Sequence, residues 1–294
     1  MGSTTTAVPG ESGLGYMAQS ALWFAVMGLL VKLAGATLPT MEIVFVRGCI
    51  VLALSIIAVA RARVSPFGLQ PRLLLLRGFV GSCALICFYA AVVHLPLAEA
   101  TVVHQTAPLW TAVLAAWLLH ERLEARVLWS IGLCFVGVLM IARPGWLFGA
   151  ELAPDYPWLY AFVALLGALL SAVAYVTVRL LGRTEHPLVV VFYFPLVTVP
   201  LTAPFAIPVW VWPGVAGWLQ LLGIGASTMI AQVALTKGLA REAAGRATAV
   251  GYLQVALATL FGALVFGVWP DAWSWAGMLL ILGSLLVSMK TRGR

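Results

Sequence analysis

The feature that most constrains this chain is a hydrophobic unit that occurs twice, superimposable at a shift of 147 positions. The aligned identities include Ala21 with Ala168, Gly35 with Gly182, Gly78 with Gly225, and Thr101 with Thr248. Each copy contains five hydrophobic spans, and because five is odd, the second copy must enter a membrane from the opposite side. Such an inverted repeat is typical of secondary transporters that work by alternating access.

Composition and span length place the chain in a membrane. Hydrophobic residues make up 63% of it and charged residues 9%, which is too apolar for a soluble domain of this size. The predicted helices cover 16–36, 40–60, 72–93, 98–119, 126–143, 157–181, 187–207, 214–238, 246–268 and 272–290. We therefore predict an all-α integral membrane protein of ten transmembrane helices in two inverted-topology repeats. The predicted divisions are a cytoplasmic tail (1–15), a first repeat (16–143), a periplasmic connecting loop (144–156), a second repeat (157–290) and a cytoplasmic tail (291–294).

The net charge of +7 is explained by orientation in the membrane. With the N-terminus inside, most Lys and Arg residues, Arg77 among them, fall in inner loops or at inner helix ends. The outer side carries only Lys32, Arg47 and Arg143. This positive-inside bias predicts a multi-pass protein of the cell inner membrane with both termini in the cytoplasm. It argues against a nucleic-acid partner.

Polar residues within the spans are the candidates for a substrate path, because each needs a partner or a water-filled cavity. Tyr89 and His94 in the third span, with His104 and Gln105 in the fourth, form a predicted cluster in the outer half. Gln232, Tyr252 and Gln254 form its approximate counterpart in the inner half, and Gln105 and Tyr252 are related by the shift of 147. These side chains offer hydrogen-bond donors and acceptors without a fixed charge, which suits a polar metabolite. Hydrogen bonding between helices is the alternative for any single member.

Three cations near the spans allow two interpretations each. Lys32 and its repeat mate Arg179 are candidates for electrostatic gates at opposite ends, or for anchors at the membrane interface. Arg47 lies about eight residues into the second span, and its repeat mate is Phe194. It is either a counter-charge for a substrate carboxylate or a structural residue bonded to helix-end carbonyls, and we favour the structural role.

Pro108 is the candidate hinge, because it removes a helical hydrogen bond near the middle of the fourth span. No other discontinuous helix is expected. The ten carboxylates all fall in tails, in loops or near helix ends, so that only histidines could titrate near a substrate path. This distribution favours facilitated movement over proton coupling, with an antiporter using His104 as the alternative.

Enzyme and metal chemistry find no support in the sequence. It contains no HExxH, GxSxG or P-loop pattern. Cys83 and Cys87 share a helix face, but no His or carboxylate flanks them to complete a metal set. We expect packing thiols, no cofactor and no metal. The expected partners are a small-molecule cargo and the lipid bilayer, and the chain is compatible with a monomer.

The run of residues 95–141 carries a family resemblance. It has small residues from Ala98 to Thr101, Pro108 in the fourth helix, then Glu121-Arg122-Leu123, and Gly132 with Gly137. This run resembles the EamA-type repeat of the drug/metabolite transporter superfamily, and Trp23, Lys32 and Arg47 also stand where that family commonly has such residues. The second copy has Val268 and Val255 in place of Glu121 and Pro108. A role for either residue therefore does not extend to the second repeat.

The resemblance covers nearly the whole chain and implies a fold of ten helices and the export of small metabolites. Within that superfamily the chain is similar in size and layout to bacterial aromatic amino-acid exporters, so we expect an exporter of aromatic and other amino acids. The candidate aromatic contacts are Trp23, Tyr89, Trp110, Tyr175 and Tyr252, each of which is also compatible with packing. Another metabolite or a drug, such as a nucleotide or cofactor precursor, is the alternative cargo.

Overall fold

The computed structural model describes residues 12–95, 97–122, 124–148, 158–267 and 269–289. Within these ranges the chain is helical and contains no strand. The helices are α1 (Gly13–Ala34), α2 (Thr40–Ala62), α3 (Pro71–His94), α4 (Leu97–His104), α5 (Ala107–Leu119), α6 (Ala125–Ala142), α7 (Gly145–Phe148), α8 (Trp158–Leu181), α9 (Pro187–Ala206), α10 (Val215–Arg241), α11 (Ala244–Val250), α12 (Leu253–Phe266) and α13 (Ala272–Met289). A 3₁₀ turn, Ile207–Val209, follows α9.

Nine helical segments in the described ranges are long and apolar enough to cross a membrane, and the apolar helix Ala272–Leu286 provides a shorter tenth. Two spans are composite, since α4 with α5 forms the fourth span and α11 with α12 forms the ninth. The predicted all-α membrane fold of two five-helix repeats is confirmed. The predicted tails and most of the connecting loop lie outside the described residues, and the proposed division at 144–156 stays a prediction.

The two repeats pack against each other through equivalent contacts. Helix α1 packs along α10, and its repeat mate α8 packs along α3; in the same way α2 contacts α10 while α9 contacts α3. Alanines allow the close approach, because Ala25 on α1 and Ala172 on α8 are both fully buried. Each of these helix–helix contacts thus has a counterpart between the corresponding helices of the other repeat.

Helices α6 and α13 form a seam that shows this symmetry in single residues. The Cys134 thiol lies 3.9 Å from the carbonyl oxygen of Ile281, its own mate at the shift of 147. On one side of this pair, the hydroxyls of Ser130 and Ser284 are 2.9 Å apart. The mates of those two serines, Gly277 and Gly137, bring their backbones together on the other side. The seam therefore lies across the pseudo-two-fold axis.

Both composite spans break at related positions, and one break was not expected. The first repeat turns at residues 105–106, where the Thr106 N–H donates to the Val103 carbonyl over 3.1 Å. The second turns at residues 251–252, where the Gly251 N–H donates to the Thr248 carbonyl over 3.0 Å. These bonds close tighter, three-residue turns.

The two breaks have different causes in the sequence. In the first repeat Pro108 has no N–H to offer the carbonyl four residues before it. The second repeat has Val255 at that position, and the prediction of a single discontinuity was wrong. There the tight turn depends on Gly251, because a Cβ at this position would lie 2.9 Å from the Thr248 carbonyl oxygen. A proline in the first repeat and a glycine in the second thus accompany helix breaks at closely related places.

Buried carboxylates hold the loops at opposite ends of the bundle. We call the end at which α1 begins and α13 ends the terminal face. There one Glu185 oxygen accepts from the N–H groups of Leu69 and Gln70, each over 2.6 Å, just before α3. At the opposite face Glu42 accepts from the Val211 N–H over 2.9 Å, just before α10. Each carboxylate joins a loop of one repeat to the other repeat, so the contacts brace the bundle at both ends.

Candidate functional site

A cavity of about 230 Å³ lies between the two repeats. It is lined by side chains of α1, α2, α3, α4, α8, α9, α10 and α12, so both repeats contribute to its wall. Its lining residues are Phe24, Met27, Arg47, Arg77, Gly81, Ala84, Leu85, Phe88, Tyr89, His104, Ser171, Ala174, Tyr175, Phe194, Gln232 and Gln254. The wall therefore combines aromatic rings, two amides and two arginines, and it contains no carboxylate among the described residues.

Arg77 is the most constrained polar group in this wall. Its side chain is 4% exposed, and its guanidinium stacks over the Phe194 ring at 4.4 Å. Nη2 donates to the Gln232 amide oxygen over 3.4 Å. Nε and Nη1 are buried without a hydrogen-bond partner in the described part of the chain. Because an unpaired buried cation is costly, this group is poised to accept an anion.

Arg47 faces the same cavity from α2. It is 6% exposed, and its Nη1 lies 3.8 Å from the Met27 sulfur. The favoured structural role, with Arg47 bonded to helix-end carbonyls or extended outward, does not describe this placement. The side chain lines the cavity instead, and no helix-end carbonyl is among its hydrogen-bond partners in the described part of the chain.

The rest of the wall is aromatic, with a few neutral polar groups. The His104 ring packs on Phe88 with 4.5 Å between ring centroids, and Phe88 meets Tyr89 edge to face. The buried Nδ1 of His104 has no hydrogen-bond partner in the described ranges. Tyr175 and Gln254 complete this part of the wall. Such a surface can pack against an apolar or aromatic side chain and still offer hydrogen bonds at its edges.

A smaller lobe of about 50 Å³ adjoins the cavity at the two helix breaks. It shares Phe24, His104, Tyr175 and Gln254 with the main cavity, so the two spaces lie on opposite sides of the same side chains. Gln105, Pro108, Thr248 and Gly251 bring residues of both breaks into its wall. Behind it, the fully buried Tyr252 donates its hydroxyl to the Gln105 carbonyl oxygen over 2.8 Å. Broken helices at mid-membrane are where many transporters bind their cargo.

The predicted substrate-path residues and the hinge candidate Pro108 differ in where they lie relative to these two spaces. Tyr89, His104, Tyr175, Gln232 and Gln254 line the main cavity, and Gln105 and Pro108 line the smaller lobe. Tyr252 lies behind that lobe. The remaining three lie away from these lining sets. Trp110 is 37% exposed and donates to the Thr106 hydroxyl, Trp23 is half-buried on α1, and the Lys32 ammonium lies 4.4 Å from the Phe266 ring centroid. Which of these residues touch cargo stays a prediction.

Arg179, the gating candidate, lies in a network that joins helix ends at the terminal face. Its Nε donates to Glu121 over 2.9 Å, and its Nη1 donates to the carbonyls of Leu239 and Ala240 over 3.0 and 2.8 Å. The other Glu121 oxygen accepts from the Ala244 N–H over 2.9 Å. We call these five residues the latch. It connects the ends of α5, α8 and α10 to the start of α11 at the terminal face.

Comparison with known proteins assigns the family. A family model described as the EamA-like transporter family matches residues 11–143 and again residues 158–290. The chain belongs to the EamA-like transporter family. The two matches coincide with the two structural repeats, and the protein is a multi-pass membrane transporter of the drug/metabolite transporter superfamily rather than an enzyme.

Several relatives of this EamA-like transporter are named as transporters or exporters. It is 32% identical to the pseudopaline exporter CntI of Pseudomonas aeruginosa, over 96% of this chain and 97% of that protein. It is 32% identical to a probable transport protein of Saccharomyces cerevisiae, over 75% and 69% of the two chains. Solute carrier family 35 member G1 of Mus musculus is 29% identical over 92% and 76%. A solved crystal structure shares the fold, with a TM-score of 0.82 at 21% identity, covering 97% of this chain and 100% of that one.

Sequence reasoning missed part of the cavity of this EamA-like transporter. Arg77 was assigned to the charges that set orientation, and the structure corrects this by placing it in the cavity wall. The available signal was depth, since Arg77 is six residues into α3, or roughly 9 Å at the helical rise, which exceeds one turn. Phe88 and Phe194 gave no signal, because buried and cavity-lining phenylalanines look alike in a hydrophobic span.

Proposed function

We propose that this transporter exports a small carboxylate-bearing metabolite, of the amino-acid class, by alternating access. The observation that carries the proposal is Arg77, a buried guanidinium with two unpartnered nitrogens in a cavity whose described wall contains no carboxylate. A cargo carboxylate would supply the missing counter-charge and could bond the guanidinium in a bidentate manner. The same charge would repel a cationic drug.

The size and lining of the cavity support an amino-acid cargo with a broad choice of side chain. Phe24, Phe88 and Phe194 offer ring faces for an aromatic or aliphatic group, and Gln254 and Tyr175 offer acceptors for an amino group. The described wall has no acidic group that would bind an ammonium tightly. Amino acids with different side chains could therefore share one carboxylate site.

Facilitated transport is the proposed energetic mode. A proton antiporter usually needs a titratable group in the substrate path. In the described wall only His104 could serve near neutral pH, since the carboxylates Glu42, Glu121, Glu185 and Glu242 lie near helix ends outside the main cavity. We further propose an inner-membrane location with both termini cytoplasmic, based on the excess of Lys and Arg at the terminal face.

The test is transport by purified protein in proteoliposomes preloaded with unlabelled amino acids. Labelled phenylalanine should exchange into them, and the rate should be unaffected by a pH gradient. Arg77→Gln should lower the rate by about tenfold or more, the scale of losing a charged hydrogen-bond partner. Arg72→Gln is the matched control, because Arg72 is on the same helix but exposed. Equal rates for Arg77→Gln and the wild type would contradict the carboxylate site.

A second cargo, pseudopaline, is favoured by the relationship with the P. aeruginosa exporter, which is 32% identical over nearly the full length of both chains. Competition distinguishes the two candidates. Pseudopaline should suppress phenylalanine exchange strongly if it is the better cargo. If phenylalanine does not exchange at all while pseudopaline does, the amino-acid proposal fails and the second candidate replaces it.

The coupling mode is tested in the same vesicles. Flux that follows an imposed pH gradient would contradict facilitated transport and favour antiport. His104→Gln then tests whether His104 carries the proton. If it does, the variant should lose the dependence on the pH gradient and keep exchange at equal pH. The pH gradient thus separates the two modes, and this one variant tests the coupling residue.

A further inference from the structure

The two cavity arginines both belong to the first repeat, yet the Arg77 guanidinium lies beside the residue of the second repeat that corresponds to Arg47. At the shift of 147, Arg47 of α2 aligns with Phe194 of α9. The Arg77 guanidinium lies over the Phe194 ring at 4.4 Å. The first repeat thus provides a positive charge at this place directly from its second helix, through Arg47. At the corresponding place the second repeat has the aromatic ring of Phe194. The guanidinium of Arg77, which comes from α3 of the first repeat, lies over this ring.

The two charges enter the cavity from opposite ends of the bundle. Helices α2 and α3 are joined by a short connection at the terminal face, so they run in opposite directions. Arg47 is seven residues after the start of α2, toward the opposite face. Arg77 is six residues after the start of α3, toward the terminal face. A molecule in the cavity would therefore have one guanidinium near each of its ends.

Neither charge is neutralised by the protein. Both side chains are almost fully buried, at 6% and 4% exposure, and neither has an ion-pair partner among the described residues. Within the part of the chain that the structure describes, Arg47 has the Met27 sulfur as its one hydrogen-bond partner, and Arg77 has the Gln232 amide. A cargo with one carboxylate would compensate one guanidinium and leave the second buried and without a counter-charge, which is unfavourable.

We propose that the cargo carries two carboxylates, one bound at Arg77 beside Gln232 and Phe194 and the other at Arg47 beside Met27. The chemical class is a dicarboxylic amino acid or a larger amino-acid derivative with two acidic groups. The proposal rests on the export function proposed above and narrows its substrate class. Arg47 is then the specificity-determining residue, since it distinguishes a diacid from a monoacid of the same shape.

Direct binding tests this independently of transport. The purified full chain in detergent at constant ionic strength is titrated with the linear dicarboxylates from succinate to suberate, and with the monoamide of each. Affinity is measured by the shift in melting temperature. At least one diacid should bind about tenfold more tightly than its monoamide, as expected for one additional charged pair. Arg47→Gln should remove that preference, and Arg47→Lys should retain part of it.

Arg61→Gln is the matched control, because Arg61 is on the same helix but exposed at its end. It should preserve the diacid preference. The proposal is overturned if no diacid binds, if every monoamide binds as tightly as its diacid, or if Arg47→Gln keeps the preference. If Arg47→Gln fails to fold, the ratio of diacid to monoamide affinity in the wild type and in Arg47→Lys still tests the proposal. Diacid binding without any flux would instead overturn only the export function, whereas flux of neutral amino acids without a diacid preference would overturn only the two-carboxylate site.

Discussion

Tyr252 donates its hydroxyl to the backbone carbonyl oxygen of Gln105 over 2.8 Å, and the two residues are each other's mates at the shift of 147. A residue that touches its own mate lies on the axis relating the two repeats. This contact also joins the two helix breaks, 105–106 and 251–252, beside the smaller lobe. It is therefore placed to act as a pivot when one repeat moves against the other.

The first prediction removes this hydrogen bond with Tyr252→Phe. The part-buried Gln105 carbonyl loses its side-chain donor, so the protein should lose about 1 kcal/mol of stability. Transport should slow by a factor of about three to ten, because the relative position of the two breaks is no longer fixed. The measurements are melting temperature in detergent and exchange rate in proteoliposomes.

Tyr160→Phe is the control, since Tyr160 stacks on His94 through its ring and should keep this contact without the hydroxyl. Wild-type transport in a folded Tyr252→Phe protein would contradict the pivot. The alanine variant is a poorer test. Deleting a fully buried ring costs about 3–5 kcal/mol, which confuses lost folding with lost function.

The second prediction concerns the latch formed by Glu121, Arg179, Leu239, Ala240 and Ala244. The repeat mate of Arg179 is Lys32, which rests on the Phe266 ring at the opposite face. The terminal face thus carries an ion pair where its counterpart at the opposite face carries a cation–π contact. Glu121→Gln removes the charge from the latch, so the conformation open to the terminal face should become more populated.

Labelling of an introduced thiol measures this shift. Ser20→Cys places a thiol in the wall of the smaller lobe, in a background with the native cysteines replaced. Glu121→Gln should raise its labelling from the terminal face by about fivefold, the scale of a weakened charged hydrogen bond. Arg143→Gln, which breaks an exposed ion pair with Asp271, should not raise it. A lack of increase in Glu121→Gln would show that the latch does not control access.

The sequence predicted the features that depend on periodicity and composition. Span length and the odd number of spans per repeat predicted the confirmed fold, and polarity within the spans brought Tyr89, His104 and Gln232 onto the list of candidates. Arg77 was missed because its charge at an inner helix end equally satisfies the positive-inside bias. Its inward direction depends on contacts with Phe194 and Gln232, which are far away in sequence. The break at Gly251 was missed because a glycine in a membrane helix more often serves close packing.

The third prediction is a pH dependence of stability at His186, which lies at the terminal face just before α9. Burial, together with the nearby charge of Lys237, lowers the pKa of His186 from its ordinary value of 6.5. The neutral ring accepts a hydrogen bond from the Leu188 N–H at Nδ1 over 3.3 Å. Protonation removes this acceptor and places a positive charge at a helix N-terminus, which is unfavourable.

Because the folded-state pKa is the lower one, this contribution is fully present above the ordinary value and is lost as the pH falls through the lowered value. The melting temperature should therefore decline slightly between about pH 7 and about pH 5, the range in which histidine titrates. His186→Asn keeps a capping side chain that does not titrate, so it should reduce this decline. An identical pH profile in the variant would assign the decline to other groups.

The fourth prediction tests the seam between α6 and α13 with two glycines of the same helix. A Cβ at Gly137 would lie 2.7 Å from the Gly277 carbonyl oxygen and 2.7 Å from an Ile281 side-chain carbon. Gly137→Ala should therefore force the helices apart and cost about 1–3 kcal/mol of stability. A Cβ at Gly132 meets nothing within 4 Å, so Gly132→Ala should be neutral or slightly stabilising.

Melting in detergent compares the two variants directly, since each adds one methyl group to the same helix. The difference between them should persist in the Ser284→Ala background, because steric overlap at Gly137 does not depend on the Ser130–Ser284 hydrogen bond on the other side of the seam. Equal melting temperatures for Gly137→Ala and Gly132→Ala would show that the seam yields without cost. In that case α6 and α13 could move apart when the transporter changes conformation. The contact of Gln105 with Tyr252 on the axis would then be the remaining fixed contact between the two repeats.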